Sequence, residues 1–402
     1  MNNNDMNNNE LKILFLTPYF RPYLGGIERA IEQLAYYLMN QPDISQIAVL
    51  TTKYSFPRIP HPEWPDREVT LEGLSILRLN GFPRKPPPIY SCPLVWFSPG
   101  KIKRYITEFD PDIIHFVGDG WFWGHIWAWF FRHNKAIFIF TPSYHPLPRT
   151  KFWLKGINIL VSRMVDAVVS LSKVENTLLN KDYHVPPHKQ RVIHWGANSL
   201  PVKDPVRDKQ SDGKLVTILC VGRLGKHKGQ DWLIEMYKKA SSTFKFPSRL
   251  ILAGGDEGNQ CLLEQATGND QSNSQIVFTG ELDDDQLSEW YAISDIFVLF
   301  SRYEAFGLVY FEAMINRLPV LTHDVGANHE LLRQGCVIVP KYDETAAINE
   351  LVGLVNNRKY RQSLGEEGRR YSENHFSWNA VAQQYLQLYK SRNKGSPRCG
   401  KN

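Results

Sequence analysis

Glu304 and Glu312 stand on either side of a glycine, Gly307, in the stretch from Ser301 to Glu330, S-R-Y-E-A-F-G-L-V-Y-F-E-A-M-I-N-R-L-P-V-L-T-H-D-V-G-A-N-H-E. A carboxylate accepts hydrogen bonds from two vicinal hydroxyls, which suits the holding of a sugar. Between the two acids, a helix opening at Gly307-Leu308-Val309 would present N–H groups that lack intrahelical partners and carry partial positive charge. Such a helix start favours a phosphate. One acid before it and one after it could grip hydroxyls on both sides of a diphosphate. On spacing alone, two ordinary charges, a loop acid and a helix acid favoured by the dipole, explain the pair equally well.

The flanking residues read as the elements such a site needs. Ile296 to Phe300 is an apolar run of strand length. Leu308, Val309, Phe311, Ala313, Met314 and Ile315 make a helix, and Pro319 to Thr322 reads as the next strand. Strand, loop, helix and strand form a βαβ unit, and such sheets bind ligands outside the carboxyl ends of their strands. A second such turn follows Leu215 to Val221. It reads Gly222-Arg-Leu-Gly-Lys-His-Lys-Gly229, with a helix from about Gln230, and places the cations Arg223 and Lys228 at a strand end. Leu250 to Ala253 runs into Gly254-Gly255-Asp256, where glycine permits close backbone approach. In the first half, Leu11 to Thr17 reads as a strand. Gly25-Gly26 then start an amphipathic helix carrying Ile27, Ala30, Ile31, Leu34 and Leu38 on one face, a turn whose N–H groups a ligand could approach closely.

E-A-F-G-L-V-Y-F-E-A resembles the E-x7-E signature of the retaining glycosyltransferases with two Rossmann-like domains, the GT-B fold of family 4. Gly222 to Gly229 resembles the G-R-L-x-x-x-K-G element of the same family, and the likeness extends over nearly the whole chain. It implies retaining, metal-independent transfer of a hexose-type sugar from a nucleotide-diphosphate donor to a glycan, lipid-linked or small-molecule acceptor. Glu304 would hold hydroxyls of the donor sugar and Glu312 the ribose. Arg223, Lys228 and the helix start at Phe306, Gly307, Leu308 and Val309 would stabilise the leaving diphosphate, with Gly222 and Gly254 in the loops beside it. Gly25 and Gly26 would face the donor phosphate and the acceptor. No enzyme nucleophile, metal or cofactor is expected; the nucleotide sugar is a co-substrate.

Many family members carry a histidine two residues after a threonine at the end of a first-domain strand. Counted from Thr141 that position is Ser143, and His145 comes two residues later. Pro142 and Pro146 restrict the segment's backbone. The expectation is that His145 reaches the donor sugar; Ser143 is the alternative. Ala327 and Arg317 stand where the family usually has glycine, and His194-Trp-Gly-Ala-Asn198 matches its Pro-Asn-Gly-Val-Asp turn loosely.

At 402 residues the chain divides naturally into two domains. The fold class expected is α/β, a GT-B architecture of two Rossmann-like doubly wound domains facing a central cleft. The parts would be a tail at 1–10, an acceptor-side domain at 11–198, a nucleotide-sugar domain at 199–375, a helix crossing back at 376–392, and a tail at 393–402. Pro201 to Lys214 would be the linker. Five cysteines, at 92, 220, 261, 336 and 399, form no C-x-x-C and suit free thiols in a reducing compartment.

Residues 1–10 lack the apolar core of a signal peptide, and the densest apolar run, Trp121 to Phe131, is too short to span a bilayer. A cytoplasmic protein is expected. The net charge of +6 is carried by residues 1–198, with 22 Lys+Arg against 16 Asp+Glu, whereas residues 199–402 have 25 of each. Arg149 to Leu171 begins with cations interleaved with Phe152, Trp153 and Leu154, which suits an anionic membrane surface; a core helix with a solvated basic face is the alternative. No nucleic-acid partner is expected.

Asp110-Pro-Asp112 reads as a strand start and Asp283-Asp-Asp285 as a helix N-terminus, rather than as metal clusters. The absence of G-x-G-x-x-G disfavours hydride transfer. A nucleotide-sugar epimerase and a non-catalytic nucleotide-sugar-binding subunit are the rival functions on the same scaffold.

Overall fold

The computed structural model describes residues 10–23, 25–55, 59–80, 82–83, 95–96, 99–118, 122–131, 136–144, 153–197, 215–267 and 275–393. His145, Arg149 to Phe152 and the Pro201–Lys214 linker lie outside them. The chain forms two compact units. One comprises Met1–Trp195 with Trp378–Asn402, the other Gly196–Ser377.

The first unit is built on an eight-stranded sheet. Its order is Gln190–Val192, Ala167–Ser170, Ile137–Thr141, Ile113–Val117, Leu11–Leu16, Ile44–Thr52, Ser75–Leu79 and Arg67–Val69. All neighbours are parallel except the last pair. Parallel strands are covered on both faces, so they are continuous apolar runs. Ile13, Leu14, Phe15 and Leu16 are each fully buried, as are Ile113 and Ile114. The antiparallel edge strand Arg67–Val69 is exposed throughout and lies in a stretch whose prolines hid it from the sequence pattern.

The helix Trp378–Asn393 belongs to this unit. Its Tyr389 hydroxyl meets His115 Nδ1 at 2.8 Å, and His115 Nε2 meets Thr141 Oγ1 at 2.8 Å, a buried polar chain joining helix to sheet. The aromatic helix spans Phe122–Phe130, with His125 stacked on Phe116. Among the described residues, no helix is long and apolar enough to cross a membrane.

The second unit has six parallel strands in the order Ile276–Gly280, Ser248–Ala253, Val216–Val221, Ile296–Leu299, Val320–His323 and Cys336–Val339. In sequence terms this is 3-2-1-4-5-6. The order reverses between Val216–Val221 and Ile296–Leu299, the place where doubly wound sheets hold their ligands. Every residue of Ile296–Phe300 is 0% exposed. Such burial stabilises by about 1.5–3 kcal/mol per large apolar side chain, which makes this strand a rigid base for the turn that follows it.

The acidic clusters are structural. Asp112 accepts the Lys12 N–H at 2.9 Å. Asp283 caps the helix Asp284–Ile293, accepting from the Gln286 N–H at 2.8 Å while Gln286 Oε1 accepts its own N–H at 3.1 Å. Among the described residues no group of three or more His, Cys, Asp or Glu is arranged to hold a metal. Cys220, Cys261 and Cys336 are free thiols, and burial pushes the Cys220 thiol up to about 12.

Candidate active site

The turn after Ile296–Leu299 places Glu304 where the strand order reverses. Glu304 is 4% exposed. Its Oε1 accepts from Ser301 Oγ at 2.7 Å and from Lys228 Nζ at 2.6 Å. Lys228 arrives from the turn after Val216–Val221, so the ion pair spans the two strands on either side of the reversal.

Backbone contacts fix this loop from two sides. The Arg302 N–H donates to the His227 carbonyl at 2.8 Å, and the Ala327 N–H donates to the Glu304 carbonyl at 3.1 Å. Gly326 makes the second contact possible. Its φ is +56°, and a Cβ there would lie 1.9 Å from the Glu304 carbonyl oxygen. Ala327, one residue on, has φ −93°, a conformation that needs no glycine.

Gly307 precedes the helix Leu308–Ile315 with φ +74°, the left-handed conformation that glycine adopts at no steric cost. Ala313, Met314 and Glu312 are good helix formers. The helix ends in a Schellman arrangement: Arg317 N–H donates to Met314 O at 2.8 Å and Leu318 N–H to Ala313 O at 3.0 Å, with Arg317 itself at φ +58°. Pro319 cannot continue the helix. Leu308 and Val309 are half-buried in its first turn, where N–H groups have no intrahelical acceptor. Glu312 lies one turn on, and Tyr291 donates to its Oε2 at 2.9 Å.

The Phe306 side chain is given to the core. It is 2% exposed and stands 4.9 Å from the Phe311 ring and 5.9 Å from Phe376. The sequence placed it in the phosphate-binding loop; the structure makes its ring an anchor for that loop.

Arg223 and Lys228 are not bare cations. Lys228 is paired with Glu304, and Arg223 Nη1 lies 2.5 Å from Glu257 Oε1. The Nη1–Oε1 contact is one of charge, without the alignment of a hydrogen bond between those two atoms. Glu257 Oε2 also lies 3.5 Å from His227 Nδ1. Sequence reading missed Glu257. Its position just after Gly254-Gly255-Asp256 was visible, but no spacing rule says which cation it meets. Gly254 packs without room to spare: a Cβ would lie 2.3 Å from the Gly222 carbonyl oxygen. Gly222 lies against the aliphatic stem of Lys228. Gln230, also unforeseen, donates from Nε2 to the carbonyls of Arg223 at 3.0 Å and Gly222 at 3.2 Å.

In the first unit, Gly25 precedes the helix Gly26–Met39, and its N–H donates to Glu28 Oε2 at 2.9 Å. A buried carboxylate thus already serves this helix start, so the Gly25 amide is not bare as the glycine pair had suggested. Gly26 has open space where a Cβ would stand. Ser143 is buried with φ +50°. The next amide, Tyr144 N–H, donates to Glu175 at 2.6 Å. His145 lies outside the described residues.

Two family models match the chain, Glycosyltransferase Family 4 over residues 24–199 and Glycosyl transferases group 1 over residues 203–371. The phosphatidyl-myo-inositol mannosyltransferase of Mycobacterium leprae is 30% identical over 394 residues, covering 95% of this chain and 97% of that protein. For four further curated relatives the aligned stretch spans between 55% and 72% of the relative's own length. Among solved structures, sucrose-phosphate synthase from Thermosynechococcus elongatus superposes with a TM-score of 0.76 at 21% identity, over 96% of this chain and 100% of that one. Anabaena HepE in complex with UDP-glucose superposes with a TM-score of 0.70 at 18% identity, over 95% of this chain and 100% of that one. Sheet order, strand-end turns and both halves of the sequence agree: the chain belongs to the group 1 glycosyltransferases of family 4, enzymes with the GT-B fold.

Proposed function

We propose that the chain transfers a hexose-type sugar from a nucleotide-diphosphate donor to a glycan, lipid-linked or small-molecule acceptor, with retention of configuration and without a metal. The observation that carries this reading is the Lys228–Glu304 pair at the strand reversal, beside the helix start at Gly307. A donor diphosphate at that helix start would draw Lys228 toward its oxygens. The carboxylate of Glu304 would then accept hydrogen bonds from the sugar hydroxyls in place of the ammonium. Glu312 would receive the ribose hydroxyls, held in place by Tyr291.

The bond broken is that between the anomeric carbon and the phosphate oxygen, and the bond formed is to the acceptor oxygen on the same face. The acceptor proton passes to the leaving phosphate oxygen, so no enzyme nucleophile is needed. Fixed cations and helix N–H groups aimed at the developing phosphate charge would each contribute about a hundredfold or more in rate. Cations take the part that a divalent ion plays in other transferases.

The mannosyltransferase relative, whose name gives phosphatidyl-myo-inositol as its partner, supports a hexose donor and a lipid-type acceptor. HepE, captured with UDP-glucose, supports a nucleotide-sugar donor. A lipid acceptor and the basic first half together suit contact with an anionic membrane surface from the cytoplasmic side. Binding to anionic liposomes that weakens as salt rises tests that contact, and equal binding to neutral liposomes would remove it.

The deciding experiment incubates the protein with a panel of nucleotide sugars in excess chelator. Release of nucleoside diphosphate supports the transferase. An isomerised nucleotide sugar would replace it with an epimerase, and binding without turnover with a regulatory subunit. Activity lost in chelator and restored by manganese would overturn metal independence.

A further inference from the structure

The turn 222–229 is flanked by a carboxylate from each neighbouring strand. Glu304, after Ile296–Leu299, holds Lys228 on one side. Glu257, after Ser248–Ala253, holds Arg223 on the other. Only the first of these acids belongs to the motif that the family likeness rests on. Glu257 is the more buried partner of its pair: its side chain is 13% exposed against 37% for Arg223.

Its approach depends on Gly225. That residue has an ordinary backbone, φ −131°, so its lack of a side chain concerns space. A Cβ there would lie 2.2 Å from Glu257 Oε2 and 2.9 Å from the His227 ring. The Glu257 loop is also stitched to the turn by main chain. Leu224 N–H donates to Gly255 O at 2.9 Å and Glu257 N–H to Leu224 O at 3.3 Å. Gln230 fixes the Arg223 carbonyl from beneath. Backbone and side chain of Arg223 are therefore each held, by residues outside the two-glutamate motif.

We propose that Glu257 is a positioning residue for diphosphate recognition, holding the Arg223 guanidinium at the strand ends so that the donor does not have to order it. The proposal rests on the reading that Arg223 meets the donor diphosphate. An arginine has several rotatable bonds, and ordering them on binding opposes association. The Glu257 carboxylate restrains the guanidinium at Nη1 by charge.

The test uses the full chain as Glu257→Ala, Glu257→Gln, Arg223→Ala and the Glu257→Ala/Arg223→Ala double variant. Donor KM and kcat are read from nucleoside diphosphate release, and Arg223 modification by phenylglyoxal from peptide masses without any ligand. Glu257→Ala is expected to raise donor KM about tenfold with kcat within about twofold, and to speed Arg223 modification severalfold. Glu257→Gln, which keeps one acceptor oxygen, should fall between. In the Arg223→Ala background, removing Glu257 should change KM less than about twofold, because coupled residues are not additive.

An equal KM penalty in both backgrounds, an unchanged KM, or an unchanged modification rate at Arg223 would overturn the proposal. If the wild-type chain releases diphosphate from no donor, the transferase reading fails instead. The modification rates alone then decide whether Glu257 restrains Arg223.

Discussion

Lys228 Nζ and Glu304 Oε1 lie 2.6 Å apart and join the turns of two adjacent strands where the order of the six-stranded sheet reverses. The carboxylate has 6% and the ammonium 18% side-chain exposure, so neither is well solvated. Breaking such a pair from one side strands a buried charge. Lys228→Ala should destabilise the protein by about 3 kcal/mol, and the Lys228→Ala/Glu304→Gln double variant should recover most of that loss. Denaturant unfolding of the two single variants and the double variant measures it. A double variant less stable than either single would show that the pair is not what holds the turns together.

Glu312 is expected to act through the nucleotide and Glu304 through the reacting sugar. Glu312→Ala should weaken the binding of free nucleoside diphosphate about tenfold, and Tyr291→Phe, which removes the hydroxyl donor 2.9 Å from Glu312, by about threefold. Glu304→Gln should lower kcat about a hundredfold or more. Calorimetry on the apo variants separates the roles: unchanged diphosphate affinity in Glu312→Ala would remove the ribose assignment.

Two backbone positions should respond in opposite directions. Gly326→Ala places a Cβ against the Glu304 carbonyl in a left-handed conformation, and should cost more than about 2 kcal/mol together with most activity. Arg317 already occupies a left-handed C-terminal position of the helix, so Arg317→Gly should stabilise by about 1 kcal/mol. Thermal unfolding of both variants checks the signs. The ion pair between Arg317 and Glu366, at 2.7 Å, sets a small opposing term.

The central β-strands of both sheets were legible because parallel strands buried on two faces are unbroken apolar runs, as at Ile296–Phe300 and Leu11–Leu16. Glu304, Glu312, Arg223 and Lys228 were legible because the family likeness falls on them by type and spacing. The pairing of Arg223 with Glu257 was not. It joins turns of two different strands, and no local rule connects an acid in one turn to a cation in another. The strand Cys336–Val339 and the strongly polar helix Arg358–His375 were also missed: one is a short run, and the other lacks a clear apolar stripe. Ala327 and Arg317 looked alike as departures from glycine. The dihedrals separate them, since Ala327 takes an ordinary conformation and Arg317 a left-handed one.

His115 is buried between Thr141 and Tyr389, and burial lowers it to about 3, against the ordinary 6.5. The unfolded chain therefore binds a proton below pH 6.5 that the folded chain refuses until about pH 3. Stability contributed by the neutral form is full above 6.5 and is lost as pH falls through that window, by about 2 kcal/mol at pH 5. The melting temperature should drop between pH 7 and pH 5, and less so in His115→Gln. His125, lowered to about 3 by burial, adds to the same trend in the wild type. A pH dependence as steep in His115→Gln as in the wild type would show that His115 does not contribute.

The stereochemistry of transfer tests the central claim most directly. With a donor that supports turnover, in excess chelator, proton NMR of the first product reads the configuration of the new anomeric centre before any equilibration. Same-face transfer supported by Glu304, Lys228 and Arg223 predicts a product with the donor's own anomeric configuration, formed in chelator and lost in Glu304→Gln. An inverted product, or one formed at an undiminished rate by Glu304→Gln, would contradict it.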